Sequence, residues 1–221
     1  MNPARVPAAL GRAAFGLLAL ASVATCLAAR RSCSDVVDFF SYFTFLSNLL
    51  GGTVLIASAV PRLRGRRWLE SLRGAAALYL VITGLVYALV LGGEATHWTG
   101  WVQHRIMPVA APLDWLLFAP AVRLPTWRAL GAWLVFPIAY LGYTLIHGAL
   151  TDWYPYPFLD PARHGWRVVT TYAVGIAAYF VVIATILLVW ADLNDRLRTR
   201  TVRPRRQVSW NPETSKAYEQ A

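Results

Sequence analysis

Polar residues in this chain stand in clusters, and long apolar stretches run between them. Six stretches, near 7–29, 38–60, 73–93, 106–122, 127–147 and 168–191, are predominantly apolar. Each approaches the roughly 20 residues that a helix needs to cross a hydrocarbon core of about 30 Å. None shows strict two-residue alternation, and lipid cannot satisfy an open strand edge, so each is predicted to be a helix. The fourth is the shortest and holds Pro108, Pro112, Asp114 and Pro120. Its prolines predict a bent helix whose freed carbonyls are satisfied by neighbouring helices. The predicted fold class is therefore all-α: a polytopic transmembrane bundle of about six spans, one domain over 1–206. Residues 207–221 lack an apolar face and are expected to form a disordered tail.

Composition strengthens that reading. The chain has 221 residues, 57% of them hydrophobic and 14% charged, against about 25% charged in soluble domains. Two cysteines, Cys26 and Cys33, are too few for a disulfide framework or a four-cysteine zinc site. The net charge of +10 is explained by membrane topology, with no nucleic-acid partner expected. Of the 21 basic residues, sixteen fall on one side, in the segments before the first span, between the second and third, between the fourth and fifth and after the sixth, or in the span ends that adjoin them. The other five are Arg30, Arg31, Arg105, Arg163 and Arg167. Positive loops stay inside, so both termini are predicted cytoplasmic. The first segment reads as a retained helix, its apolar run being long for a signal peptide. The excess of Arg over Lys points to a GC-rich, bacterial genome and hence to a cell-membrane location.

In a membrane protein the informative residues are polar ones at depth. Thr44, Ser47 and Asn48 in the second span share one helix face by their spacing. Counted along a helix from Asp38, Thr44 lies roughly 9 Å and Asn48 roughly 15 Å into the membrane from the outer side. His104 stands at the outer mouth of the fourth span, with Asp114 ten residues further in, so His104 is expected level with Thr44 and Asp114 with Asn48. His147 ends the fifth span at the outer level, and Glu94 and His97 close the third on that side. The loop from Gly148 to Asp160 is rich in aromatics and proline and is expected at the interface.

These types support one chemistry above others. A Thr hydroxyl becomes a nucleophile when a base, most often His, takes its proton. Asn48 is a candidate donor to a developing oxyanion, and Asp114 a candidate to orient a His or to pair with Asn48 or an Arg. The competing reading is interhelical glue, for which Thr, Ser and Asn are common. His104, His147, Asp114 and Glu94 are possible metal-ligand types, but no HxxxH or HExxH spacing occurs. No metal and no cofactor are expected.

Three stretches carry a family resemblance. They are Phe43-Thr44-Phe45-Leu46; His104 with Pro108, Pro112 and Leu113-Asp114-Trp115; and His147 followed by Tyr156-Pro157-Phe158-Leu159-Asp160. In order and spacing they resemble a bacterial family of six-pass membrane proteins that is similar to the eukaryotic androgen-induced (FAR-17a-like) membrane proteins. The resemblance implies a hydrolase of fatty-acid esters with a threonine nucleophile, Thr44, and a histidine, His104. His147 remains an alternative base. The implied partners are membrane lipids and a fatty-acyl ester substrate. The alternative function is a non-enzymatic lipid-binding, transport or scaffold protein.

Overall fold

The computed structural model describes residues 5–92, 95–118, 120, 124 and 126–202. Among these residues every regular element is a helix. In chain order they are α1 (Arg5–Ala28), α2 (Cys33–Phe40), α3 (Phe43–Ala59), α4 (Arg67–Val86), α5 (Trp98–Trp101), α6 (Met107–Leu117), α7 (Thr126–Thr151) and α8 (Pro161–Val202). A π turn, Tyr87–Leu91, prolongs α4, and another, Val102–Ile106, joins α5 to α6.

Four helices are long and apolar enough to cross a membrane: Val6–Ala28, Arg67–Leu91, Thr126–Thr151 and Pro161–Leu197. A fifth joins them if α2 and α3, bent by 74° at their junction, count as one broken span. The stretch expected as the fourth span is not among these helices: its region is divided into α5, a π turn and the short α6, which ends at Leu117. Six crossings thus remain an expectation. The predicted tail 207–221 lies outside the described residues.

α4 is the central helix. Gly74, Ala75, Ala76, Ala77, Leu78, Tyr79 and Leu80 are buried in succession, the mark of a helix surrounded on all sides. It packs against α3, α6 and α8, and α3 packs in turn against α1. Small residues permit these approaches. A Cβ on Gly74 would collide with the rings of Trp133 and Trp115. The outer faces of α1, α7 and α8 carry Leu10, Leu17, Val135, Ile138, Val174 and Ile186, all exposed, as lipid-facing helices require.

Breaks in the helices have identifiable causes, and side chains complete them. Pro137 in α7 has no N–H to offer the carbonyl one turn back. That carbonyl, on Trp133, instead accepts from the Tyr79 hydroxyl at 2.7 Å. At the α2–α3 bend, Tyr140 serves both orphan backbone groups. Its hydroxyl donates to Ser41 O at 2.7 Å and accepts from the Phe43 N–H at 3.2 Å.

The two ends of the bundle differ. At one end Asp114 pairs with Arg12 at 2.7 Å and with Arg73 at 2.8 Å, and Arg73 also pairs with Glu70 at 2.7 Å. Arg73 donates to Phe118 O as well. The bends, the loop after α7 and the starts of α3 and α5 meet at the other end.

Candidate functional site

Thr44 is the second residue of α3, just past the bend, and is buried. Its hydroxyl lies 3.5 Å from the Tyr156 hydroxyl. Tyr156 comes from the loop between α7 and α8, where Pro155 and Pro157 flank it. The sequence predicts this loop at the interface, but Tyr156, Phe158 and Leu159 turn inward and are buried. Tyr156 stacks on Phe158 at 5.3 Å and meets the edge of Tyr42 at 5.8 Å.

His104 lies in the π turn between α5 and α6. Its ring stacks on Tyr87, with centroids 4.1 Å apart. Its Nδ1 lies 3.2 Å from Gly100 O. A carbonyl only accepts, so that nitrogen carries the proton and Nε2 keeps a lone pair. The imidazole therefore rests in the tautomer a base needs.

Thr44 and His104 line the same two adjoining spaces. One, of about 220 Å³, is walled by Phe43, Ile82, Leu134, Pro137 and Phe180 and is almost wholly apolar. The other, of about 380 Å³, is bordered by Arg30, Tyr42, Gln103 and Pro155. Thr44, Tyr87, Leu91, His104 and Tyr156 belong to both and form the neck between them. A long apolar chain fits the first space, and a polar or charged group fits the second. Among the described residues no hydrogen bond joins Thr44 to His104.

Ser47 and Asn48 flank the site without opening into it. Ser47 is wholly buried, donating to Thr44 O at 3.0 Å and sharing a 3.0 Å hydrogen bond with Thr83. Asn48 Nδ2 donates to Thr44 O at 2.9 Å and to Gln103 O at 3.2 Å. The second bond has a local cause. The Met107 N–H reaches back to Val102 O in the π turn, and Pro108 has no N–H to offer, so Gln103 O is left for a side chain. Both amide hydrogens of Asn48 thus hold backbone, and the donor expected for an oxyanion is already engaged.

The other two candidates lie elsewhere. Asp114 is not level with Asn48. It shares Arg12 with Ser58 O, near the far end of α3. The depth count from Asp38 fails because α2 and α3 are not one straight helix. The Arg pairing expected for Asp114 is present, twice. His147 packs at the end of α7, its Nε2 3.8 Å from Asp38 and its ring stacked on Tyr143. It lines neither space. Glu94 lies outside the described residues, and among those residues no group of three His, Cys, Asp or Glu side chains could hold a metal.

Tyr156, Tyr140 and Tyr87 were not foreseen as site residues. The signals for Tyr156 were its place between two prolines, which set the loop backbone, and its place at the head of the third resemblance stretch. No sequence rule says whether such a loop lies on the surface or folds in. Compared with family models, with curated proteins and with solved structures, the chain matches none of them.

Proposed function

We propose that this protein is a membrane lipid ester hydrolase in which Thr44 attacks a fatty-acyl ester and His104 is the base. One observation carries the reading. A hydroxyl and a base-competent imidazole, sixty residues apart in sequence, share the neck between an apolar chamber and a more polar one. The acyl chain lies in the apolar chamber, with its ester at the neck and the alcohol part toward Arg30. The resemblance of the Thr44, His104 and Tyr156-Pro157-Phe158-Leu159 stretches to the androgen-induced membrane proteins agrees with this assignment. Of the two histidines weighed, His104 is preferred, because His147 lines neither chamber. Catalytic hydrogen bonds often tighten only when substrate binds, so the separate resting partners of Thr44 and His104 are compatible with the reading. The chambers lie at the end opposite the Arg12–Asp114–Arg73 cluster. With the basic loops inside, that end is the outer half of a bacterial cell membrane.

A second reading has its own support. The Thr44 and His104 hydrogen bonds run to Tyr156 and Gly100, which suits a lipid-binding protein without catalysis. A fluorophosphonate probe on the purified protein separates the two. Labelling abolished by Thr44→Ala supports the hydrolase, and labelling that persists in that variant removes Thr44 from the mechanism. Lipid profiles of membranes with and without the active protein then identify the class of ester.

A further inference from the structure

We propose that Tyr156 is a third catalytic residue of this site, donating its phenolic hydrogen to the oxyanion that forms when Thr44 attacks the ester. The assignment rests on the hydrolase reading and adds a role to it.

Most side-chain donors near Thr44 are already engaged. Asn48 gives both amide hydrogens to carbonyls. Tyr140 gives its hydrogen to Ser41 O. Gln103 Nε2 turns away, toward Ser22 and Cys26 on α1. Ser47 donates to the Thr44 carbonyl, and His104 Nδ1 to Gly100 O. Tyr87, the other phenol at the neck, makes its contact through its ring face on His104. The hydroxyl bonded to Thr44 Oγ1 is that of Tyr156, at 3.5 Å. An oxyanion sits on the same carbon as the attacking oxygen, so a phenol at this distance from Oγ1 reaches it when the carbonyl oxygen is turned to the Tyr156 side. Burial pushes the Tyr156 phenol above the ordinary tyrosine value, which keeps it a donor at neutral pH. Two flanking prolines and the stacked Phe158 hold the ring in place before substrate arrives, and such preorganisation is where oxyanion donors derive their effect.

His104 Nε2 takes the Thr44 proton while Oγ1 bonds the acyl carbon. The carbonyl π pair moves to oxygen, which accepts the Tyr156 O–H. When the carbonyl re-forms, the bond to the alcohol oxygen breaks and the alcohol leaves with the proton from His104. Water then adds by the same route and releases the fatty acid, restoring Thr44.

The test uses the full chain in detergent, with a 4-methylumbelliferyl long-chain acyl ester as substrate. Tyr156→Phe removes one oxygen atom. Its expected effect is a kcat lower by about 10²- to 10³-fold with KM nearly unchanged. If kcat stays within threefold of the parent while Thr44→Ala is inactive, Tyr156 is excluded and the hydrolase reading stands. If the parent neither turns over the ester nor reacts at Thr44 with the fluorophosphonate, the hydrolase reading fails and this assignment with it. A second measurement is independent of how well the phenylalanine variant folds. Trifluorotyrosine placed at position 156 lowers the phenol pKa, and the alkaline limb of kcat is expected to move to lower pH with it. An alkaline limb that does not move overturns the assignment.

Discussion

At the scale of single residues, the useful distinction is between side chains that face a space and side chains that serve backbone. Thr44 and His104 face the chambers. His104→Ala is expected to lower ester turnover by about 10²- to 10⁴-fold, the usual range for a lost general base, with the thermal midpoint nearly unchanged. Steady-state hydrolysis beside a melt in detergent checks both halves. Asn48, one turn from Thr44, belongs to the other kind. Asn48→Ala leaves Gln103 O without its donor, and the expected outcome is a loss of about 1–3 kcal/mol in stability. Restoring an N–H with Pro108→Ala should recover part of that loss. A simple sum of the two single effects would show that the pair is not coupled.

At the scale of elements, proline placement and tyrosine placement are linked. Pro137 frees the Trp133 carbonyl, and Tyr79 on α4 closes it. The bend between α2 and α3 exposes Ser41 O and the Phe43 N–H, and Tyr140 closes both. Tyr79→Phe is expected to destabilise the bundle by about 1–3 kcal/mol, and in a Pro137→Ala background by clearly less. Urea or thermal unfolding of the four species gives the coupling directly. Prolines and tyrosines are plain in the sequence, but their pairing is not. Each partner lies on a different helix, and only the packed registers show which phenol reaches which carbonyl.

The whole molecule is polar in the sense of a magnet, with a site at one end and a charge cluster at the other. Asp114 sits between two guanidinium groups, and its side chain is only 10% exposed. Asp114→Asn leaves Arg12 without a carboxylate partner and Arg73 with Glu70 alone. The expected cost is about 3–5 kcal/mol, seen in detergent unfolding, with ester turnover per folded molecule retained because the cluster lies far from Thr44. Orientation has a native reporter. Cys33, the first residue of α2, is free and exposed and belongs to the site end. A membrane-impermeant maleimide is expected to label it on intact cells, whereas a cysteine placed at Arg64 in a Cys33→Ser background should react only after permeabilisation. The reverse pattern would turn the molecule over and place the site in the inner leaflet.

The sequence alone was enough to show an all-helical chain with several helices able to cross a membrane. Length and apolarity of a run are local properties, and in lipid the backbone has to satisfy itself within the helix. It also offered Thr44, Ser47, Asn48, His104, Asp114 and His147 as candidates by residue type and depth, and a resemblance of short motifs set Thr44 and His104 ahead of the others. Tertiary structure alone decided the rest. It brought Thr44 and His104 to one neck, assigned Asn48 to a carbonyl that Pro108 leaves open, sent Asp114 to the arginines and His147 to Asp38, and turned Tyr156 inward. These outcomes depend on where helices bend and how one registers against the next. Those quantities are set by side chains packing across the bundle, and no count along a single strand of sequence contains them.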